Sequence, residues 1–170
     1  MSILQFLFSA NGRIRRRDYW LYSIGIAVVG VVIEFAGHQI LTGHPASQYV
    51  KDLSSWTTLK PEPFNLFILV MMVVFVWPGI CISSKRWHDR GKSGWLSAIN
   101  PGITALTLVS QVLYGPLAAH PNLVIYFGGS LIGLAVNIWV FVECGCLDGT
   151  KGDNRYGPSP KGIPSQAEVF

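Results

Sequence analysis

The sequence predicts an all-α membrane protein, a bundle of four transmembrane helices joined by short loops. Three observations predict it. Half of the 170 residues are apolar and only 13% are charged, against roughly 25% charged in an average soluble domain. Four apolar stretches have about the length that a bilayer crossing needs, roughly 20 residues each. The basic residues fall in alternate connections between those stretches. With four crossings, little chain is left for a separate soluble module, so any function is built from helices and short loops.

The first stretch, 20–41, is interrupted only by Glu34, His38 and Gln39, and at 1.5 Å per residue it reaches about 33 Å. The second, 64–82, carries no charge and holds the unbroken apolar run 66–77; Pro78-Gly79 is expected to bend or end it. The third, 96–114, is diluted by Asn100, Pro101, Thr104 and Gln111. The fourth, 123–142, contains Gly129 and Gly133, a four-residue spacing of small side chains that permits close helix packing and self-association. The loop 42–63 is polar, with one amphipathic turn expected around Tyr49 to Trp56. The arginines before the first stretch resemble the start of a signal peptide, but that stretch is too long for one and lacks a cleavage site, so it is expected to be retained.

Charge orients the chain independently of hydropathy. Arg13, Arg15, Arg16 and Arg17 precede the first stretch; Lys85, Arg86, Arg90 and Lys92 lie between the second and third; Lys151, Arg155 and Lys161 follow the fourth. The other connections hold only Lys51 and Lys60. Positive charge concentrates on the cytoplasmic side of membrane proteins, so both termini are expected there. The same pattern requires the third stretch to cross, since otherwise the basic tail would lie outside.

The three basic segments interleave cations with aromatics: Gly12 to Trp20, Lys85 to Trp95 and the turn-rich tail Asp148 to Pro160. Arginine and lysine meet lipid phosphate while tyrosine and tryptophan favour headgroup depth, so anchoring accounts for much of this design. His88 and Asp89 add nothing to anchoring. Their presence raises a second expectation, that Arg13, Arg17, Arg86, His88, Asp89, Arg90 and Arg155 form one cytoplasmic cluster that binds anionic phospholipid headgroups or a membrane-protein partner. Arginine suits the task because its planar fork grips two oxygens. Nucleic acid is not an expected partner, because the charge sits beside apolar spans.

Enzymatic chemistry is not expected. Gly91-Lys92-Ser93 lacks the upstream glycine of a phosphate loop, since Arg86 stands there. His88 and Asp89 are sequence neighbours, which need not face each other on a helix. Cys144 and Cys146, with Cys81 elsewhere, lack structural-zinc spacing; no metal or cofactor is expected, and three cysteines suggest no disulfide framework. Glu34 is the one carboxylate well inside an apolar stretch, with His38 one turn on. An intramembrane ionisable pair can mark an ion path, and the alternative function is a small transporter or channel component using Glu34, with Asn100, Gln111 or Asn137 beside it. Its position, about 21 Å along the stretch, also suits a contact near the outer interface.

These motifs resemble those of the DUF805 family, small bacterial inner-membrane proteins of unknown function. The resemblance rests on Gly12-Arg13-Ile14 with Arg17-Asp18-Tyr19-Trp20, on Lys85 through Trp95, and on Gly149-Thr150, Gly152 and Asn154 through Pro158. Trp87 replaces the leucine usual in the central motif. The resemblance implies one domain over residues 1–160, a location in the bacterial cytoplasmic membrane and no defined activity; 161–170 reads as a flexible tail.

Overall fold

A computed structural model describes residues 3–50, 62–114 and 123–162, with the side chains of 107–114 and 123–130 excepted. Among the described residues the chain is helical and contains no strand. Its helices are α1 (Ile3–Phe8), α2 (Arg16–Thr42), α3 (Pro63–Asp89), α4 (Ile99–Tyr114) and α5 (Leu123–Val140), with 3-10 turns at Ala46–Gln48 and Gly94–Ala98 and a π-helical turn at Phe141–Cys146. The amphipathic turn expected over 49–56 lies outside the described residues from Lys51 onward. So do the tail beyond Gly162 and the Gly129 half of the Gly129/Gly133 pair.

Helices α2 and α3 are both 27 residues long, about 40 Å at the α-helical rise. These are the two described helices long and apolar enough to cross a bilayer. They run antiparallel: Gly37 faces the Phe67 ring, Gly30 faces the Phe75 ring, and the Tyr19 hydroxyl bonds Ser83. The small residues on α2 let the rings of α3 lie against its backbone.

Pro78 does not end the helix, contrary to one expectation, and α3 continues through the basic motif to Asp89. A proline deletes one backbone hydrogen bond, and apolar helices packed against neighbours tolerate that loss. The stop comes at Gly91, whose φ of 71° is the left-handed conformation that glycine adopts without strain. Gly91 N donates to His88 O and Lys92 N to Trp87 O, both at 2.9 Å, the paired bonds of a Schellman ending. The basic motif is therefore a helical face followed by a tight reversal, and not a loop. An additional short helix, α1, packs at the same end, where Lys85 Nζ donates to Phe6 O and Phe6 stacks on Tyr22.

Burial is uneven along α2 and α3. Side chains close up near the 3-10 turn, where Tyr49, Phe64 and Ile68 form a small core, and at the opposite, basic end. Between them Val28, Val32, Val70, Val73 and Val74 are exposed. Contiguous exposed apolar surface on this scale is the mark of an interaction with membrane or protein.

The antiparallel register predicts the outcome of paired-cysteine crosslinking. In a chain freed of its native cysteines, G37C/F67C and G30C/F75C should each react with a short bifunctional thiol reagent, whereas G30C/F67C should not. Crosslinking of the last pair alone would refute the register.

Candidate functional site

At the basic end, three sequence-distant segments meet on one carboxylate. Asp89, the last residue of α3, takes Arg13 Nη2 on Oδ1 at 2.9 Å and Arg86 Nη1 on Oδ2. The side chains of Arg13 and Arg86 are 1% and 0% exposed. Burying two cations against one anion is costly unless the remaining donors are satisfied, and they are. Arg13 Nη1 donates to Gly152 O at 2.9 Å and Gly157 O at 3.1 Å, and Nη2 to Thr150 O at 2.9 Å. Arg86 Nε donates to Cys144 O at 2.7 Å and Nη2 to Leu147 O. Arg13 thus holds the tail turn, and Arg86 holds the backbone that leaves α5.

The π-helical turn supplies that backbone. Its wider ring presents Cys144 O to Arg86, and Gly145 O accepts from the Trp20 indole at 3.0 Å. It also aims Glu143 at α3, where the carboxylate accepts from Arg90 Nε at 3.2 Å and Lys92 Nζ at 2.5 Å. Glu143 was not anticipated from the sequence; its position just past a long apolar run was the signal available.

The tail turn folds back along α3. Thr150 N donates to Asp89 O at 2.8 Å, Asn154 Nδ2 to His88 O at 2.9 Å, and the Tyr156 ring stacks on His88 with centroids 3.9 Å apart. Gly149 lies so close to Asp89 that any side chain would enter its carboxylate. His88 Nδ1 donates to Gly12 O at 3.1 Å; a carbonyl can only accept, so Nδ1 carries the proton in the neutral ring. His88 stands beyond the apolar stretch 64–82. Burial pushes its pKa below the usual histidine value, and Arg155 pushes the same way against the opposing Gly12 bond. Arg155 Nη2 reaches Gly91 O at 3.5 Å, with its guanidinium over the Tyr156 ring.

The seven residues predicted to cluster therefore differ in state. Arg13, Arg86, His88 and Asp89 form the interior of a polar knot, Arg90 and Arg155 lie at its edge, and Arg17 stands apart, 84% exposed beside Asp18. Facing solvent next to the knot is a recess of about 330 Å³ lined by Arg15, Arg16, Arg17, Asp148 and Lys161. Arg15 Nε donates to Pro160 O, Arg16 Nη1 to Cys146 O at 2.6 Å, and Lys161 Nζ to Asp148 at 2.9 Å. That last bond, chiefly, holds the Asp148 carboxyl below the ordinary aspartate range.

At the opposite end, Glu34 accepts from the Tyr49 hydroxyl at 3.0 Å, and buried His38 packs edge-on against Tyr49 and Phe64. Burial first, then the bond to Glu34, pushes the Tyr49 phenol up to about 12. Asn137 donates to Gly133 O of its own helix at 2.8 Å; the Gln111 side chain lies outside the described residues.

The fold and the three-segment knot define a helical protein built on two apolar helices, and the model of DUF805, described as proteins of unknown function, matches residues 7–158. The chain belongs to that family. It is 28% identical over 170 residues to the uncharacterized protein YiiR of Escherichia coli (strain K12), covering 99% of this chain and 97% of that one. It is 24% identical over 162 residues to the inner membrane protein YhaI of the same strain, covering 95% of this chain and 93% of that one. No solved structure matches.

Two predictions follow from the knot. Asp89→Asn leaves two buried guanidinium groups facing a neutral amide, and breaking a buried pair costs about 3–5 kcal/mol; thermal melting in detergent should fall sharply, and an unchanged melting temperature would refute the central role of Asp89. His88 has a folded pKa below its unfolded value of about 6.5, so the stability it contributes is full above that pH and is lost as pH falls through the folded value. A melting series from pH 8 to 5 should therefore show acid destabilisation that His88→Gln flattens.

Proposed function

We propose that the chain is a four-span protein of the bacterial inner membrane, with both termini in the cytoplasm, whose basic end binds anionic phospholipid headgroups without catalysing a reaction. One observation carries the reading: the knot consumes Arg13 and Arg86 internally, while Arg15, Arg16, Arg17 and Lys161 surround an open recess in which Asp148 is the one carboxylate among the described lining residues. The bonded arginines keep further N–H donors for phosphate oxygens. On this reading the knot is the rigid mount and the recess is the binding surface. Eleven of the thirteen basic residues share the cytoplasmic side under four crossings, which supports the topology. The exposed valine-rich middle of α2 and α3 suits hydrocarbon, and the relative named as an inner membrane protein agrees with that location.

Each basic side chain near an anionic surface contributes about 1 kcal/mol. R15Q/R16Q/K161Q, which leaves the knot and Arg17 intact, should therefore weaken phosphatidylglycerol retention by roughly tenfold or more. Native mass spectrometry of both proteins from mild detergent checks this, with reporter fusions at each terminus to verify the topology. Equal lipid retention by two folded proteins would overturn the reading, and a co-purifying polypeptide lost in the variant would replace lipid with a protein partner.

A further inference from the structure

Helices α2, α3 and α4 and the turn before α4 border an apolar groove of about 820 Å³. Its long walls are aliphatic and aromatic, with Ile26 and Val31 on α2 facing Leu69 and Phe75 on α3. Its basic end is different in kind: Ser83 and Trp87, one turn apart on α3, face Asn100 and Thr104. Trp87 is fully buried, yet its indole Nε1–H finds no acceptor among the described residues, and the buried Oδ1 of Asn100 finds no donor. Buried polar groups left unmet cost about 1–3 kcal/mol each, and a donor and an acceptor unmet on the walls of one groove point to a ligand that completes them.

The length and the lining indicate the occupant. From Leu69 to Trp87 the groove follows α3 for about 27 Å at 1.5 Å per residue. Its length and its aliphatic and aromatic walls suit an extended hydrocarbon chain, and the unmet donor and acceptor at one end suit a polar head on that chain. Among the described lining residues none is cationic, and Glu34, at the far end, is engaged by Tyr49. An uncharged head matches that lining.

We propose that this groove binds one single-chain amphiphile with an uncharged head that carries a hydroxyl, seated between Trp87 and Asn100, its chain lying along α3. A head of this type donates to Asn100 and accepts from Trp87. The site is separate from the basic recess and requires no negative charge on its ligand.

Monooleoylglycerol carrying a photoreactive diazirine in its chain tests the inference on the full chain in phosphatidylcholine nanodiscs. Labelling should be saturable and should map to 69–76 and 26–31. Unlabelled monooleoylglycerol should compete roughly tenfold better than octadecene, which lacks the head, as expected for a ligand that meets otherwise unpaired groups. Gly79 lines the groove and a Cβ added there meets no atom within 4 Å, so Gly79→Leu should abolish labelling at unchanged melting temperature; Val31→Phe on the opposite wall serves if that variant fails to fold. Asn100→Leu should keep the labelling but erase the preference for the head. Labelling that does not saturate, or that persists in a folded groove-filled variant, would reduce the groove to ordinary lipid-facing surface. Equal competition by octadecene would remove the assigned head group.

Discussion

Two guanidinium groups, from Arg13 and Arg86, meet on the carboxylate of Asp89 in surroundings nearly closed to solvent, and the arrangement of the basic end depends on that meeting. Asp89 offsets one of the two buried positive charges, and the donors left over fix the backbone at Cys144, Leu147, Thr150, Gly152 and Gly157. These two ion pairs thereby join the chain before α2, the end of α3 and the backbone between Cys144 and Gly157. Gly149 belongs to the same constraint, because only a residue without a side chain lets the tail turn approach Asp89.

The knot divides the basic residues into two populations. Those inside it are structural by geometry, since their nitrogens already face carbonyl and carboxylate oxygens. Those beside it, Arg15, Arg16, Arg17 and Lys161, line a recess that faces solvent. Anchoring and recognition, which sequence treats as rival readings of the same arginines, fall to different arginines under the function we propose. The exposed pairs are individually weak in water, so the recess owes its character to the number of cations it gathers.

Away from the basic end, the fold uses small residues and rings. Gly30 and Gly37 admit Phe75 and Phe67, which brings α2 and α3 together. The same helices diverge from α4 enough to leave the long groove whose polar end lies at Trp87 and Asn100. A tightly filled core would have no use for an unsatisfied indole N–H; a groove that takes a ligand does.

The sequence by itself determined the all-helical class, the two long apolar helices and the three motifs that place the chain in its family, because hydropathy and local motif chemistry are written in neighbouring residues. It also singled out Arg13, Arg86, His88 and Asp89, which meet at the basic end, but it grouped the outlying Arg17 with them and passed over Glu143. Their state was beyond it. Whether Arg86 is buried and bonded or exposed and available depends on carbonyls at Cys144 and Leu147, about sixty positions away, and on the π-helical turn that aims them. The continuation of α3 past Pro78, the engagement of Glu143 and the separation of Arg15, Arg16 and Lys161 from the knot were likewise decided only in three dimensions. Backbone acceptors and cavities have no residue signature, so long-range packing alone could reveal which charges were spent and which remained.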